Sequence, residues 1–275
     1  MTTSTRGWTE MLIHANRFLL TRRIVQATVM LLFFAGSAAG WTVLRGNLSC
    51  ARVFDVLTLA DPYAVLQMFA AGVMPTAEIA VGALTVTVIY ALLGGRVFCA
   101  WVCPMNVVTD LAAWLRRRLG IAADFRLSKT ARYWVMALAL VLSALLGVAA
   151  FEWISPVGAL HRGLIYGFGA GWLVVLAVFI FDLLVARGGF CGHLCPMGAF
   201  YSLIGRGNLI KPVHNPDKCT MCMRCVEVCP ERQVLYMIGK KNAMVSSGQC
   251  INCGRCIEVC GDNAIGLGSR LFSDK

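Results

Sequence analysis

The chain has 275 residues, 58% of them hydrophobic and only 14% charged, with a formal net charge of +11. That balance is too apolar for an ordinary soluble domain and points to a membrane protein. The basic excess raises nucleic acid as a partner, but Lys and Arg gather beside apolar runs, so membrane-flanking charge accounts for them and no nucleic acid is expected.

Residues 1–23 carry Arg6, Arg17, Arg22 and Arg23 ahead of a long apolar run. Thr21-Arg22-Arg23 has the form of a twin-arginine export signal. The apolar segment is longer than a signal core and three more follow, so these arginines read as the cytosolic anchor of a first span. Four segments approach the ~20 residues a spanning helix needs: 24–44, 76–93, 133–153 and 164–186. Lys and Arg number four in 1–23, seven in 94–132 and eleven from 187 onward, against two in 45–75 and one in 154–163. By the positive-inside rule both termini and the middle loop are cytosolic, and the protein is a multi-pass protein of a bacterial inner membrane.

An internal repeat overlies the spans. After the second comes Phe98-Cys99-Ala-Trp-Val-Cys103-Pro104, and after the fourth Phe190-Cys191-Gly-His-Leu-Cys195-Pro196. The two thiol pairs are offset by 92 residues. Asp61-Pro62 and Ser155-Pro156 echo each other in the loops that feed the even spans. The reading is a duplicated helix pair, both copies pointing the same way. Cysteines four apart share a helix face, and the following Pro suits the first turn of a new helix. The segment 105–120 after the first turn reads as a helix lying in the interface. Cys99, Cys103, Cys191 and Cys195 are therefore candidates for a four-thiolate metal or cluster site or for a redox disulfide. Plain packing of small side chains at a membrane turn is the alternative.

Ionisable groups at membrane depth need a reason. Glu152 at the outer end of the third span and Asp182 near the inner end of the fourth are candidate proton acceptors for a quinol, with helix capping or arginine pairing as the alternative. Glu78, Asp110, His161 and His193 lie nearby at the interface. There is no C-x-x-C-H, so no covalent haem c is expected. No glycine fingerprint opens a strand-to-helix turn, so no nucleotide is expected.

The densest chemistry is C-terminal. Cys219, Cys222, Cys225 and Cys229 are followed by Cys250, Cys253, Cys256 and Cys260, each set spaced C-x2-C-x2-C-x3-C. That spacing places three thiolates on one [4Fe–4S] cube and sends the fourth to its neighbour. The first cluster then takes Cys219, Cys222, Cys225 and Cys260, and the second Cys250, Cys253, Cys256 and Cys229. Structural zinc prefers paired C-x2-C knuckles, and disulfides give no reason for identical spacing. Residues 207–218 read as a bridge broken by Pro212 and Pro216, with short strands at 233–238 and 264–267. The resulting architecture is an α-helical membrane protein of four spans in two parallel repeats with a small C-terminal α+β ferredoxin-like domain. Its parts are a cytosolic segment 1–23, a four-helix membrane domain 24–206 and a ferredoxin-type domain 207–275.

Four spans, two C-x3-C-P turns and a C-terminal pair of ferredoxin motifs resemble the NapH family, membrane ferredoxin-type subunits associated with periplasmic nitrate reductase. Asp61-Pro62, Asp110-Leu-Ala-Ala-Trp114 and Phe181-Asp182 share the resemblance. MauN, the C-terminal region of NosR and the CcoG-type copper-handling proteins carry similar cysteine turns. The resemblance implies a quinol dehydrogenase component that passes electrons from quinol, with a NapG-type periplasmic iron–sulfur protein, toward a NapC-type multihaem cytochrome and the nitrate reductase. Two alternatives stand beside it. In one, the clusters donate electrons for copper or thiol maturation through the paired C-x3-C-P turns. In the other, the protein anchors a larger complex.

Overall fold

A computed structural model describes residues 16–121, 125, 127–167, 169–240 and 242–270. Arg6 lies outside them. Four long apolar helices form the first unit: α1 (Arg17–Ala38), α3 (Ala77–Leu93), α5 (Ala131–Leu146) and α7 (Trp172–Leu184). Among the described helices only α1, with 22 residues, is long and apolar enough to cross a bilayer by itself. The other three run to 17, 16 and 13 residues. Their outward faces are strongly apolar: Leu84, Trp134 and Leu145 are 63%, 76% and 76% exposed. In α3 only Gly82 and Ala83 are buried. An apolar surface this extensive is unusual on a water-soluble monomer.

Two expected spans are interrupted. Gly147, in left-handed backbone, ends α5, and the chain resumes as a single helical turn at Ala150–Ile154. The segment 164–186 divides because Ser155 and Pro156 start a separate helix, α6 (Pro156–Tyr166), which takes up its first residues. Ser155 Oγ accepts from Gly158 N at 3.4 Å, a side-chain cap with Pro in the first turn. Hydropathy averages over such caps and so runs the spans together.

The first repeat holds the counterpart. Helix α2 (Pro62–Ala70) begins at Asp61, whose carboxylate accepts from Ala64 N at 3.2 Å. Its N-terminal end reaches inward: Tyr201 Oη donates to Asp61 at 3.3 Å, and Tyr63 packs against Phe151 and Phe200. Val157, at the start of α6, packs with Phe98, Cys103, Cys195 and Met197. Both loops therefore fold back toward the cysteine turns as short helices. The first also carries an unanticipated antiparallel sheet, β1 (Leu44–Gly46), β2 (Cys50–Val53) and β3 (Leu57–Ala60), too short to register as alternation.

The C-terminal unit is built on β4 (Ile210–His214), paired antiparallel with β6 (Ile265–Ser269) and over two residues with β5 (Ala243–Met244). The supposed bridge thus contains the central strand. Pro212 is tolerated there because its carbonyl accepts from Val245 N, so its ring nitrogen faces the side where β5 is too short to need it. The strand expected at 233–238 is instead a 3-10 turn, Arg232–Leu235, and a run of turns. Val234, Leu235, Met237 and Ile238 are all buried, a spacing of helical rather than alternating type, and they fill the core between the two cysteine sets. The strand expected at 264–267 is present as β6.

Candidate iron–sulfur centres

The two C-terminal cysteine loops have the same backbone. Met221 and Met223, flanking Cys222, have φ of 56° and 58°; Asn252 and Gly254, flanking Cys253, have 49° and 75°. Met223 and Gly254 then open the short helices Arg224–Val228 and Arg255–Glu258. Left-handed residues in this pattern curl successive amides around a concavity, which suits an anionic cluster. Each concavity is lined by four cysteines. One, of about 310 Å³ with its mouth included, is bounded by Cys219, Cys222, Cys225 and Cys260. The other, of about 370 Å³, is bounded by Cys229, Cys250, Cys253 and Cys256. These are the groupings that the fourth-cysteine exchange requires. Burial pushes the Cys229 thiol up to about 12 and that of Cys250 to about 11, so metal binding there displaces protons.

The loop around the Cys250 set is gripped by the helical unit. Trp101 Nε1 donates to Asn252 O at 3.1 Å. Arg255 pairs with Asp110, which also takes Arg23. The amides of Phe18 and Leu19, at the start of α1, donate to Glu258 Oε1 at 2.5 and 3.0 Å. Glu231, two residues beyond Cys229, lies under three cations: Arg96 at 2.6 Å, Lys129 at 2.9 Å and Arg132 at 3.2 Å. Burial alone would raise its carboxyl, but the three cations hold it down at about 2. Arg96 also donates to the carbonyls of Gln249 at 3.1 Å and Cys191 at 2.9 Å. One guanidinium thereby ties the second C-x3-C turn to Glu231, just past Cys229, and to Gln249, just before Cys250.

The C-x3-C-P turns share their own local geometry. Cys103 N donates to Phe98 O and Cys195 N to Phe190 O, both at 2.9 Å and both across five residues. The following helices start at the proline of each turn: Pro104 precedes the first residue of α4 (Met105–Arg118), and Pro196 opens α8 (Pro196–Ile204) with Cys195 as its cap. Cys195 Sγ accepts from Gly198 N at 3.4 Å as an N-cap. All four thiols line a single cavity between the repeats, and none is in a disulfide. Burial pushes each of them above the ordinary thiol range, with Arg96 the strongest opposing influence at Cys99.

The candidate proton acceptors are not brought together. Asp182 accepts from Phe190 N at 2.9 Å and so caps the second cysteine turn. Glu152 takes the hydroxyl of Ser49 at 2.6 Å, beside the small sheet, and its other oxygen is buried without a partner. Glu78 pairs at the surface with Arg52, Asp110 joins the cluster-loop grip, and His161 packs edge-on against Phe33. His193 is buried between Cys191 and Cys195. Sequence reasoning missed Arg96, Lys129, Arg132 and Glu231, which are scattered singly along the chain and acquire meaning only when folded together.

Fold and cysteine cavities define a ferredoxin-type iron–sulfur electron-transfer protein. Residues 77–122 and 164–213 match a family described as a 4Fe-4S binding domain, and residues 211–261 one described as a 4Fe-4S dicluster domain. The chain is 46% identical to the ferredoxin-type protein NapH of Haemophilus influenzae over 83% of this chain and 81% of that protein. It is 43% identical to the methylamine utilization ferredoxin-type protein MauN of Paracoccus denitrificans over 97% of this chain and 94% of that one. NapH of Escherichia coli is 43% identical over 84% and 79%. The chain belongs to the NapH/MauN family of ferredoxin-type proteins. No solved structure matches it.

Proposed function

We propose that this chain is an inner-membrane electron-transfer subunit that receives electrons from quinol and passes them toward a periplasmic nitrate reductase through NapG- and NapC-type partners. Two [4Fe–4S] clusters, when bound, supply one-electron carriers. Cys219, Cys222, Cys225 and Cys260 hold the first, and Cys250, Cys253, Cys256 and Cys229 the second. The observation that carries the reading is the grip of the helical unit on the Cys250 loop through Arg96, Trp101, Asp110 and α1. Such a grip fixes the distance between a membrane-level donor and the second cluster, which electron transfer needs and a flexibly tethered domain would lack.

Four spans are assigned to α1, α3, α5 and α7, with lipid against their apolar faces. Arg96, Arg116, Lys129, Arg132 and Arg187 stand at the end of the bundle that carries the cluster unit, which supports a cytosolic placement of that unit. A second reading has a specific observation behind it. The match to a MauN protein spans 97% of this chain, which equally supports assigning the electrons to methylamine utilization, the process for which those relatives are named.

The test is reduction of the anaerobically purified protein by quinol, followed by low-temperature EPR. Reduction of both clusters on a turnover timescale is the expected result. Clusters left oxidised by quinol would overturn the reading, placing electron entry on the cytosolic side and favouring copper or thiol chemistry at the C-x3-C-P turns.

A further inference from the structure

We propose that Arg22 sets the redox order of the two ferredoxin centres, holding the cluster of the Cys250 set at a higher potential than that of the Cys219 set. This ordering rests on the cysteine assignments proposed above and goes beyond them. In sequence Arg22 reads as part of a membrane-edge anchor. In the fold it is 0% exposed and reaches neither water nor a lipid headgroup. Its Nε and Nη2 have no hydrogen-bond partner, and its Nη1 reaches only the neutral Asn106 Oδ1, at 3.5 Å. A buried guanidinium without a carboxylate of its own is costly, so an anion beside it is needed.

The acids close by are already taken. Asp110 pairs with both Arg23 and Arg255, so with Arg22 three guanidiniums share one carboxylate. Glu258, the acid on the same loop, accepts from the amides of Phe18 and Leu19. What remains beside Arg22 is Cys253, one of its electrostatic neighbours. Arg255 lines the same cysteine cavity and has Cys253 and Cys229 among its own. A cluster on four thiolates is anionic and gains one more negative charge on reduction. A fixed cation beside it therefore favours the reduced form and raises the potential.

The Cys219 set has the opposite surroundings. Its cavity is lined by one acid, Asp262, and among the described residues by no Lys or Arg. Lys218 and Arg224, in and beside this motif, are exposed, where water and salt screen them. In the Cys250 cavity the one acid, Glu231, is outweighed by its three cations. Burial works the other way: Cys250, Cys253 and Cys256 are buried while Cys222 is exposed, and a dry site disfavours the extra charge of reduction. The charges decide, because burial of the two sites overlaps, with Cys225 and Cys253 both 8% exposed, whereas their charged linings differ in sign. An electron added to the ferredoxin unit then rests at the centre that the helical unit grips.

The experiment is a redox titration of the full chain, purified anaerobically in detergent, with dithionite as reductant and EPR as the readout. Cys222→Ser and Cys253→Ser assign the signals of the two centres. We expect the cluster of the Cys250 set to be reduced first in the wild type. Arg22→Gln should lower its reduction equilibrium at least tenfold, about 59 mV for a one-electron couple, and leave the cluster of the Cys219 set in place. Arg22→Lys should restore most of the shift. A site merely loosened by the substitution admits water and moves the potential upward, opposite to loss of the charge. The reverse order in the wild type overturns the proposal, as does an Arg22→Gln protein in which neither potential moves or both move alike. The wild-type order needs no Arg22 variant, so it decides the matter if Arg22→Gln loses its iron. Wild-type protein lacking these signals would instead refute the cysteine assignments, and with dithionite as reductant the quinol reading is not at stake.

Discussion

Arg96 and Glu231 meet at 2.6 Å with side chains only 2% and 4% exposed, and this pair joins the first cysteine turn to the residue pair that follows Cys229. Lys129 and Arg132 complete the cage around the same carboxylate. Three cations on one carboxylate would be costly if the carboxylate were lost, because removing one partner of a buried ion pair leaves uncompensated charge.

Glu231→Gln is therefore expected to destabilise the docked state by about 3–5 kcal/mol. The cluster ligands are untouched, so iron content should persist while the C-terminal unit detaches. Limited proteolysis in the 205–218 region is the measurement. Cleavage no faster than in the parent protein would refute the clamp, and Arg96→Met should reproduce the effect with loss of the Cys191 and Gln249 contacts as well.

A second joint depends on backbone approach. Gly95 has φ of 57°, and a Cβ there would fall 2.3 Å from Gly205 Cα. Both the left-handed conformation, about 1 kcal/mol for Ala, and the backbone overlap oppose Gly95→Ala. Gly188 has a similar φ of 59° but open space around it. Gly188→Ala should cost about 1 kcal/mol and fold, while Gly95→Ala should give little folded protein. Equal thermal midpoints for the two variants would show that the Gly95–Gly205 approach is unimportant.

The two sets of four cysteines were legible from spacing alone, because exchange of the fourth cysteine is a property of the motif and does not depend on the surrounding fold. The paired C-x3-C-P turns were equally visible as a repeat of 92 residues. What the spacing could not convey was that both pairs open into one cavity, since that depends on how two repeats pack. The bundle was legible as apolar runs, but its true helix ends were set by Gly147 and by Ser155-Pro156, signals of one or two residues that a hydropathy average erases. The strand at Ile210–His214 was hidden by Pro212, which ordinarily argues against a central strand. Lys129, Arg132 and Glu231 gave no signal, because a lone charge in sequence reads as a solvated one.

Trp101 offers a probe specific to one cluster. Its indole donates to Asn252 O, between Cys250 and Cys253, whereas the contact of the helical unit with the other motif, Arg187 to Glu227 O at 2.9 Å, lies beyond Cys225. Trp101→Phe keeps the ring and removes the hydrogen bond, at about 1 kcal/mol. The midpoint potential or line shape of the cluster held by Cys250 should change, and that of the cluster held by Cys219 should not. Parallel changes in both would mean that Trp101 acts through general loosening of the fold.

The matched loops differ after the second cysteine, and that difference is testable. Met223 and Gly254 both adopt left-handed backbone after the second cysteine of their motif. Met223 is half exposed there and carries its side chain without obstruction, whereas a Cβ on Gly254 would fall 2.3 Å from the Phe18 ring. Glycine at 223 relieves the strained φ but frees the unfolded chain, so Met223→Gly should leave stability within about 0.5 kcal/mol. Gly254→Ala should cost about 1–3 kcal/mol through overpacking. The displaced Phe18 would also carry its amide away from Glu258, so the start of α1 should lift from the cluster loop. Protease sensitivity near residue 18, raised in Gly254→Ala and unchanged in Met223→Gly, is the expected pattern. The same sensitivity in both variants would mean that glycine is required at 254 for its backbone alone and that α1 does not rest on this loop.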